Sequence, residues 1–240
     1  MSLLRLLLCA AMLGTSLGAP VANVFPKTKQ NERIAEVRAR VGPGLSRELS
    51  SLGFAMGIQV FIRIFKEERE FELWLKPVGS ATFVHWKTWP IAAMSGVLGP
   101  KLKEGDLQAP EGFYSVSAKA MNPESRFHLS FNIGYPNAFD RAHGRTGGLI
   151  MVHGNKVSIG CFAMTDPVIE EIYLLAEAAL NHGQGEFCVH VFPFRMTGER
   201  MALAADSPWR SFWQDLRAGY EAFEVSRVPP VVRVEAGRYQ

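Results

Sequence analysis

The spacing of apolar and polar positions changes period several times along this chain, and each change marks an element. In QNERIAEVRARVG, Ile34, Val37 and Val41 recur at spacings of three and four, which predicts a short amphipathic helix. Gly42-Pro43-Gly44 predicts its end, and LSRELSSLGF reads as a second short helix. From Gln59 the period drops to two. QVFIRIFKEEREFELWLK alternates on both sides of a charged centre, the pattern of a β-hairpin. ATFVHWKTWPIA, GFYSVSAKAM, FHLSFNI and GGLIMVH read as further strands, punctuated at Gly99-Pro100, Pro110, Pro123 and Tyr135-Pro136. Helical spacing returns in VIEEIYLLAEAALNHG up to Gly183, with Asp166 as its expected cap and Pro167 in its first position. GEFCVHVFPF is again a strand, SPWRSFWQDLRAGYEAF a helix, and the tail after Pro229 an extension against the body. The pattern predicts an α+β fold, mostly β, with helices added at its ends. No internal repeat is present.

The first residues follow a different rule. MSLLRLLLCAAMLGTSLGAPVA places Arg5 behind the start methionine, then an apolar run from Leu6 to Leu13, then Ser16, Gly18, Ala19 and Ala22. This is a secretory signal pattern, expected to be cut after Gly18 or Ala22. The run is too short for a membrane span and no later segment is long enough, so no stable span is expected after cleavage.

Composition changes this picture little. A chain of 240 residues, 48% hydrophobic, suits one domain with modest extensions. A net charge of +3 from 26 basic and 23 acidic residues gives no electrostatic case for nucleic acid. Signal cleavage removes Cys9 and leaves Cys161 and Cys188, whose surroundings differ enough that no disulfide is expected. Cys188 and His190 share a strand face, but nothing in the sequence brings that face to Cys161, so no metal site is expected. Trp74, Trp86 and Trp89 are expected in the core, and His85, His128 and His182 carry no motif.

Candidate chemistry concentrates in LIMVHGNKVSIGCFAMT, residues 149–165. A thiol attacks as its thiolate, so a catalytic cysteine wants an imidazole within reach and backbone N–H groups for the oxyanion. The LIMV strand delivers His153, Gly154 opens a turn, and the chain returns to Cys161 behind Gly160. The N–H groups of Gly160 and Cys161 are candidates for the oxyanion hole. Spacing alone leaves two readings open, a nucleophile with its base or a packed and inert pair.

VHG…SIGC resembles the His-Gly…Ser-x-Gly-Cys signature of the YkuD-type L,D-transpeptidases, peptidoglycan acyl-transfer enzymes. Upstream, EGDLQAPEGFYSV is similar to the family's Thr-Pro-x-Gly-x-Phe segment, and the opening hairpin to its first two strands. RIFKEE, LSFNIGYPNAFDRAHGRTGG and GCFAMTD more closely resemble the YafK-like periplasmic branch of Gram-negative bacteria. The resemblance spans roughly Ile58 to Met196. It implies a β-sandwich with peripheral helices, divided as a signal over 1–22, a helical extension over 23–57, the catalytic domain over 58–196 and a helical extension with tail over 197–240.

By the same resemblance Cys161 is the nucleophile, His153 the general base, and the carbonyl of Gly154 its orienter. Ser158 and Gly160 shape the oxyanion turn. No cofactor is implied. The loop from His153 to Cys161 is shorter than in the wider family, Ala109 stands for the common threonine, and Phe162-Ala163 replaces a pair that often carries arginine. A second pair, His143-Gly144, lies at a spacing closer to the wider family's and is an alternative base. The preferred reading puts His143 and Arg145 in a polar loop that grips substrate carboxylates. The implied substrates are peptidoglycan stem peptides, attacked at the L-centre of meso-diaminopimelate. The branch favours hydrolysis of the link to a wall-bound lipoprotein, in the periplasm. Crosslinking or lipoprotein attachment is the alternative, and a wall-binding module with a decayed site is the non-enzymatic one.

Overall fold

The computed structural model describes residues 28–240, so the signal segment read at 1–22 lies outside the described residues. In chain order the elements begin with helix α1 (Glu32–Ser51) and strands β1 (Gln59–Phe65), β2 (Glu70–Lys76), β3 (Val84–Pro90) and β4 (Gly112–Ser117). Short strands β5 (Met121–Asn122) and β6 (Ser130–Asn132) follow, then α2 (Ala138–Ala142), β7 (Met151–His153) and β8 (Phe162–Ala163). The chain ends with α3 (Asp166–Asn181), β9 (Glu186–Phe192), α4 (Gly198–Leu203), α5 (Arg210–Ser226) and a small hairpin, β10 (Val234–Glu235) and β11 (Arg238–Tyr239).

Two sheets carry the fold. One has the order β3-β2-β1-β9-β4, the other β5-β6-β7-β8. The alternating hairpin forms as β1 and β2, paired from Gln59↔Lys76 to Phe65↔Glu70. Both strands are nonetheless buried on both faces. Ile62 and Ile64 face a core shared with α1, α3 and the four-stranded sheet. Phe61 and Phe65 pack on the other side, against residues of α5. Helix α3 carries the chain from β8 to β9, which runs parallel to β1 and antiparallel to β4.

The N-terminal helices differ from the sequence expectation. Residues 32–51 form one helix that runs through Pro43. A proline inside a helix costs ~3 kcal/mol or more. Ile34, Val37, Leu45 and Leu49 lie on a single buried stripe across the expected break, and their packing on the core offsets that cost. Helix α3 begins with Thr165 at its N-cap, so Asp166 lies in the first turn and is not the cap. Trp74 and Trp89 are buried, while Trp86 is only partly so. Among the described residues no helix is long and apolar enough to cross a membrane.

Candidate active site

Strands β7 and β8 are parallel, with Val152 opposite Phe162 and His153 opposite Ala163. Val152 and Phe162 are wholly buried and face the core. Alternation therefore turns Met151 and His153 to the other face of this sheet. One step back along the same register sets Cys161 beside Met151, on the face that carries His153. The placement is visible in hydrogen bonds: the Met151 N–H donates to Cys161 Sγ at 3.4 Å, and the thiol points to the Leu149 carbonyl at 3.7 Å.

His153 is held from behind. Its Nδ1 lies 2.6 Å from the carbonyl oxygen of Gly154. A carbonyl can only accept, so Nδ1 carries the proton and Nε2 keeps its lone pair. The ring also packs on Phe127, with centroids 4.8 Å apart. Gly154 is required for this arrangement. A Cβ there would lie 2.5 Å from Asp166 Oδ1 and 2.8 Å from the Phe127 carbonyl oxygen. The Gly154 N–H reaches the carbonyls of Phe127 and Leu129 at 3.0 and 3.1 Å. Asp166 ties down the same turn by accepting from the Asn155 N–H at 2.7 Å.

The return to Cys161 is built by the other two signature residues. Ser158 Oγ donates to the Cys161 carbonyl at 2.6 Å, closing a tight turn over the loop. Gly160 has φ +120°, a conformation side-chain-bearing residues avoid. Among the described residues the backbone N–H groups of Gly160 and Cys161 have no intramolecular acceptor, which leaves both free for an oxyanion.

His153 and Cys161 line one cleft of about 640 Å³, together with Phe127, Ser130, Leu149 and Lys101. Burial lowers the pKa of His153, partly opposed by the Gly154 carbonyl. Burial raises the pKa of Cys161, partly opposed by the Met151 N–H and the positive charge of Lys101. The resting pair is therefore a neutral thiol and a neutral imidazole. Lys101 is itself buried, its ammonium donating to the Lys103 carbonyl and to Asp106. Lys101 and Phe127 were not legible as site residues in the sequence, because neither belongs to a spaced motif and only the fold brings them to the cleft.

The structure does not bring His143 and Arg145 to this cleft. The Arg145 guanidinium turns inward and donates to Asp140 Oδ1 at 2.7 Å, with both side chains buried. It stacks over Phe139 and Phe212, at 5.0 and 4.8 Å from their centroids. Arg145 thus anchors α2 through Asp140 and does not line the cleft of Cys161, which removes the observation that would support the substrate-gripping expectation. His143 donates from Nδ1 to the Phe139 carbonyl at 2.9 Å and lies flat on that ring, 4.2 Å between centroids. It is exposed and does not line the cleft of Cys161.

Cys188 and His190 lie on β9 in the other sheet, and Cys161 and Cys188 are free thiols. Among the described residues no cluster of His, Cys, Asp and Glu could hold a metal ion.

Comparison with known proteins places residues 60–190 in a match to the YkuD family, described as the L,D-transpeptidase catalytic domain. The chain is 46% identical over 184 residues to a protein of Escherichia coli (strain K12) named "Putative L,D-transpeptidase YafK", covering 77% of this chain and 74% of that one. The protein of the same name from Escherichia coli O157:H7 gives the same figures. Among solved structures, the helical cell shape determining protein Pgp2 (K307A mutant) of Campylobacter jejuni aligns at 20% identity with a TM-score of 0.46, over 75% of this chain and 63% of that one.

Proposed function

Because the chain belongs to the L,D-transpeptidase catalytic domain family, we propose that it is a periplasmic cysteine acyl-transfer enzyme that hydrolyses the bond between diaminopimelate in a peptidoglycan stem peptide and the lysine of a wall-linked lipoprotein. One observation carries the chemistry: adjacent parallel strands present Cys161 and an Nδ1-anchored His153 on one face of one cleft.

In this reading the thiol meets the carbonyl on the L-centre of diaminopimelate, and His153 Nε2 takes its proton as sulfur attacks. The oxyanion turns toward the N–H groups of Gly160 and Cys161. The tetrahedral centre then collapses to a thioester, and His153 returns the proton to the departing amine. In the second half His153 deprotonates the acceptor, which attacks the thioester and frees Cys161. The neutral resting pair suits this cycle, because the imidazole is unprotonated and ready when the substrate arrives.

The acceptor separates hydrolase from transpeptidase. Water needs only hydrogen-bond reach of His153, whereas an amine acceptor needs a bound peptide held within about 3–3.5 Å of the carbonyl. The short loop from His153 to Cys161 and the absence of arginine after Cys161 favour water, since both reduce the wall that would seat a second peptide. The name of the Escherichia coli relative favours the second reading, an amine acceptor. The test is to incubate the purified protein with lipoprotein-linked muropeptides, with and without excess tetrapeptide muropeptide, and identify products by mass. Free stem peptide and released lipoprotein in both mixtures is the expected result. Dimers joined through two diaminopimelates as the main product would replace hydrolysis by transpeptidation, and no turnover by wild type would remove both.

A further inference from the structure

The turn that seats His153 is strained, and it is held from outside its own sheet. It belongs to residues 123–129, the loop between β5 and β6. Phe127 packs its ring on the imidazole, and its carbonyl takes the Gly154 N–H at 3.0 Å. The next residue, His128, has φ +68°, a left-handed conformation that residues with a Cβ rarely adopt. Strain of this kind persists only where the surrounding structure over-determines it.

The restraint comes from α1. Arg33 Nη1 donates to three carbonyls of this loop, those of His128, Ser125 and Pro123, at 2.6, 2.8 and 3.2 Å. Asn31 Nδ2, from the cap of the same helix, adds a second donor to the Pro123 carbonyl at 3.2 Å. On its other side His128 Nε2 meets Glu170 Oε1 of α3 at 2.7 Å, and Glu170 is paired with Arg40 of α1. The helix thus reaches the turn twice. Arg33 gains nothing from its own helix, because it lies in the first turn, at the positive end of the dipole, where a cation is unfavourable. Its guanidinium instead supplies fixed, permanently charged donors to carbonyls that no strand ladder satisfies.

The turn matters to the chemistry through Gly154. That residue gives its N–H to Phe127 and its carbonyl to His153 Nδ1, so the angle of the imidazole depends on where the loop lies. We infer that Arg33 is a positioning residue for His153: from α1 it fixes the 123–128 turn, and through Phe127 and Gly154 that turn aims the imidazole at Cys161. The inference rests on the reading of His153 as the base. It makes α1, which lies outside residues 60–190 of the family match, part of the working enzyme.

The test reads His153 directly and then its work. The full chain is labelled with ¹⁵N-histidine and carries Cys161→Ala, so that no turnover intervenes. Long-range ¹H–¹⁵N NMR then follows the ring nitrogens, and the His153 signal is the one lost in His153→Gln. With Arg33 present the Nδ1–H tautomer is expected, and with Arg33→Ala a mixture of both tautomers. With Cys161 restored, Arg33→Ala is expected to lower kcat on the lipoprotein-linked muropeptide by about 10–100-fold, the scale of a misplaced catalytic group. KM is expected to change less. Guanidinium chloride at about 10 mM, far below its molar denaturing range, is expected to return both tautomer and kcat toward wild type by filling the vacated place. Thermal melting checks that Arg33→Ala is folded. If it is not, Arg33→Lys, which keeps stem and charge but loses the planar fork, carries the same measurements and is expected to show the same changes to a lesser degree. An unchanged His153 signal in the folded variant would overturn the proposal, whether or not kcat falls. So would a lost tautomer preference with kcat at the wild-type level. Because the NMR measurement needs no turnover, failure of the hydrolytic reading shows separately in the product assay.

Discussion

The protonation state of the Cys161–His153 pair gives the sharpest test of the site. Burial moves the two groups apart, the thiol up and the imidazole down. An ordinary thiol with pKa near 8.5 is about 3% ionised at pH 7, and Cys161 must lie below that fraction. The perturbation is pH, and the assay is the rate of Cys161 alkylation by iodoacetamide, followed by peptide mass. The rate is expected to climb about tenfold per pH unit through the neutral range and to level only above the ordinary thiol pKa. Cys188 does not confuse the measurement, because burial and then Glu186 push its thiol up to about 11, and its peptide is distinct. Removing the opposing charge with Lys101→Met is expected to shift the Cys161 curve to still higher pH. Turnover should follow a different profile. It is lost on the acid side as His153 is protonated, below the ordinary imidazole value, and it holds through neutrality. An alkylation rate already level from about pH 5 to 8 would indicate a thiolate–imidazolium pair and refute the neutral-pair reading.

His153→Ala is expected to lower kcat/KM by about 10²–10⁴-fold while His143→Ala changes it little, measured on the lipoprotein-linked muropeptide; the reverse ranking would make His143 the base. Gly154→Ala must displace Asp166 or the Phe127 carbonyl, so it should cost activity as severely as loss of His153 and lower the melting temperature as well. Arg145→Met leaves the buried Asp140 carboxylate without its partner and should cost about 3–5 kcal/mol in urea unfolding, with KM for the folded enzyme near the wild-type value. A large rise in KM with stability unchanged would restore Arg145 to substrate binding.

Much of the fold was legible because period reports burial directly. The β1–β2 hairpin, α3, β9 and α5 each carry a pattern that one structural class satisfies, and each forms near where the pattern places it. The signature around His153 and Cys161 was legible for a different reason: its chemistry is local, and the Gly154 carbonyl and Ser158 hydroxyl act within a few residues of what they hold.

What the tertiary structure decided is whatever depends on a partner distant in sequence. Pro43 reads as a helix end, and only the core that receives Ile34 through Leu49 lets the helix continue. Asp166 reads as a cap, but the Asn155 N–H claims its carboxylate in place of the helix. Arg145 reads as a surface fork because its neighbours are polar, while the buried Asp140 and the rings of Phe139 and Phe212 draw it inward. Lys101 gains its place at the thiol from the folding of a loop some 60 residues upstream of Cys161. Periodicity and short-range hydrogen bonds are properties of the chain itself; burial of a charge and the membership of a cleft are set by which surfaces the fold presses together.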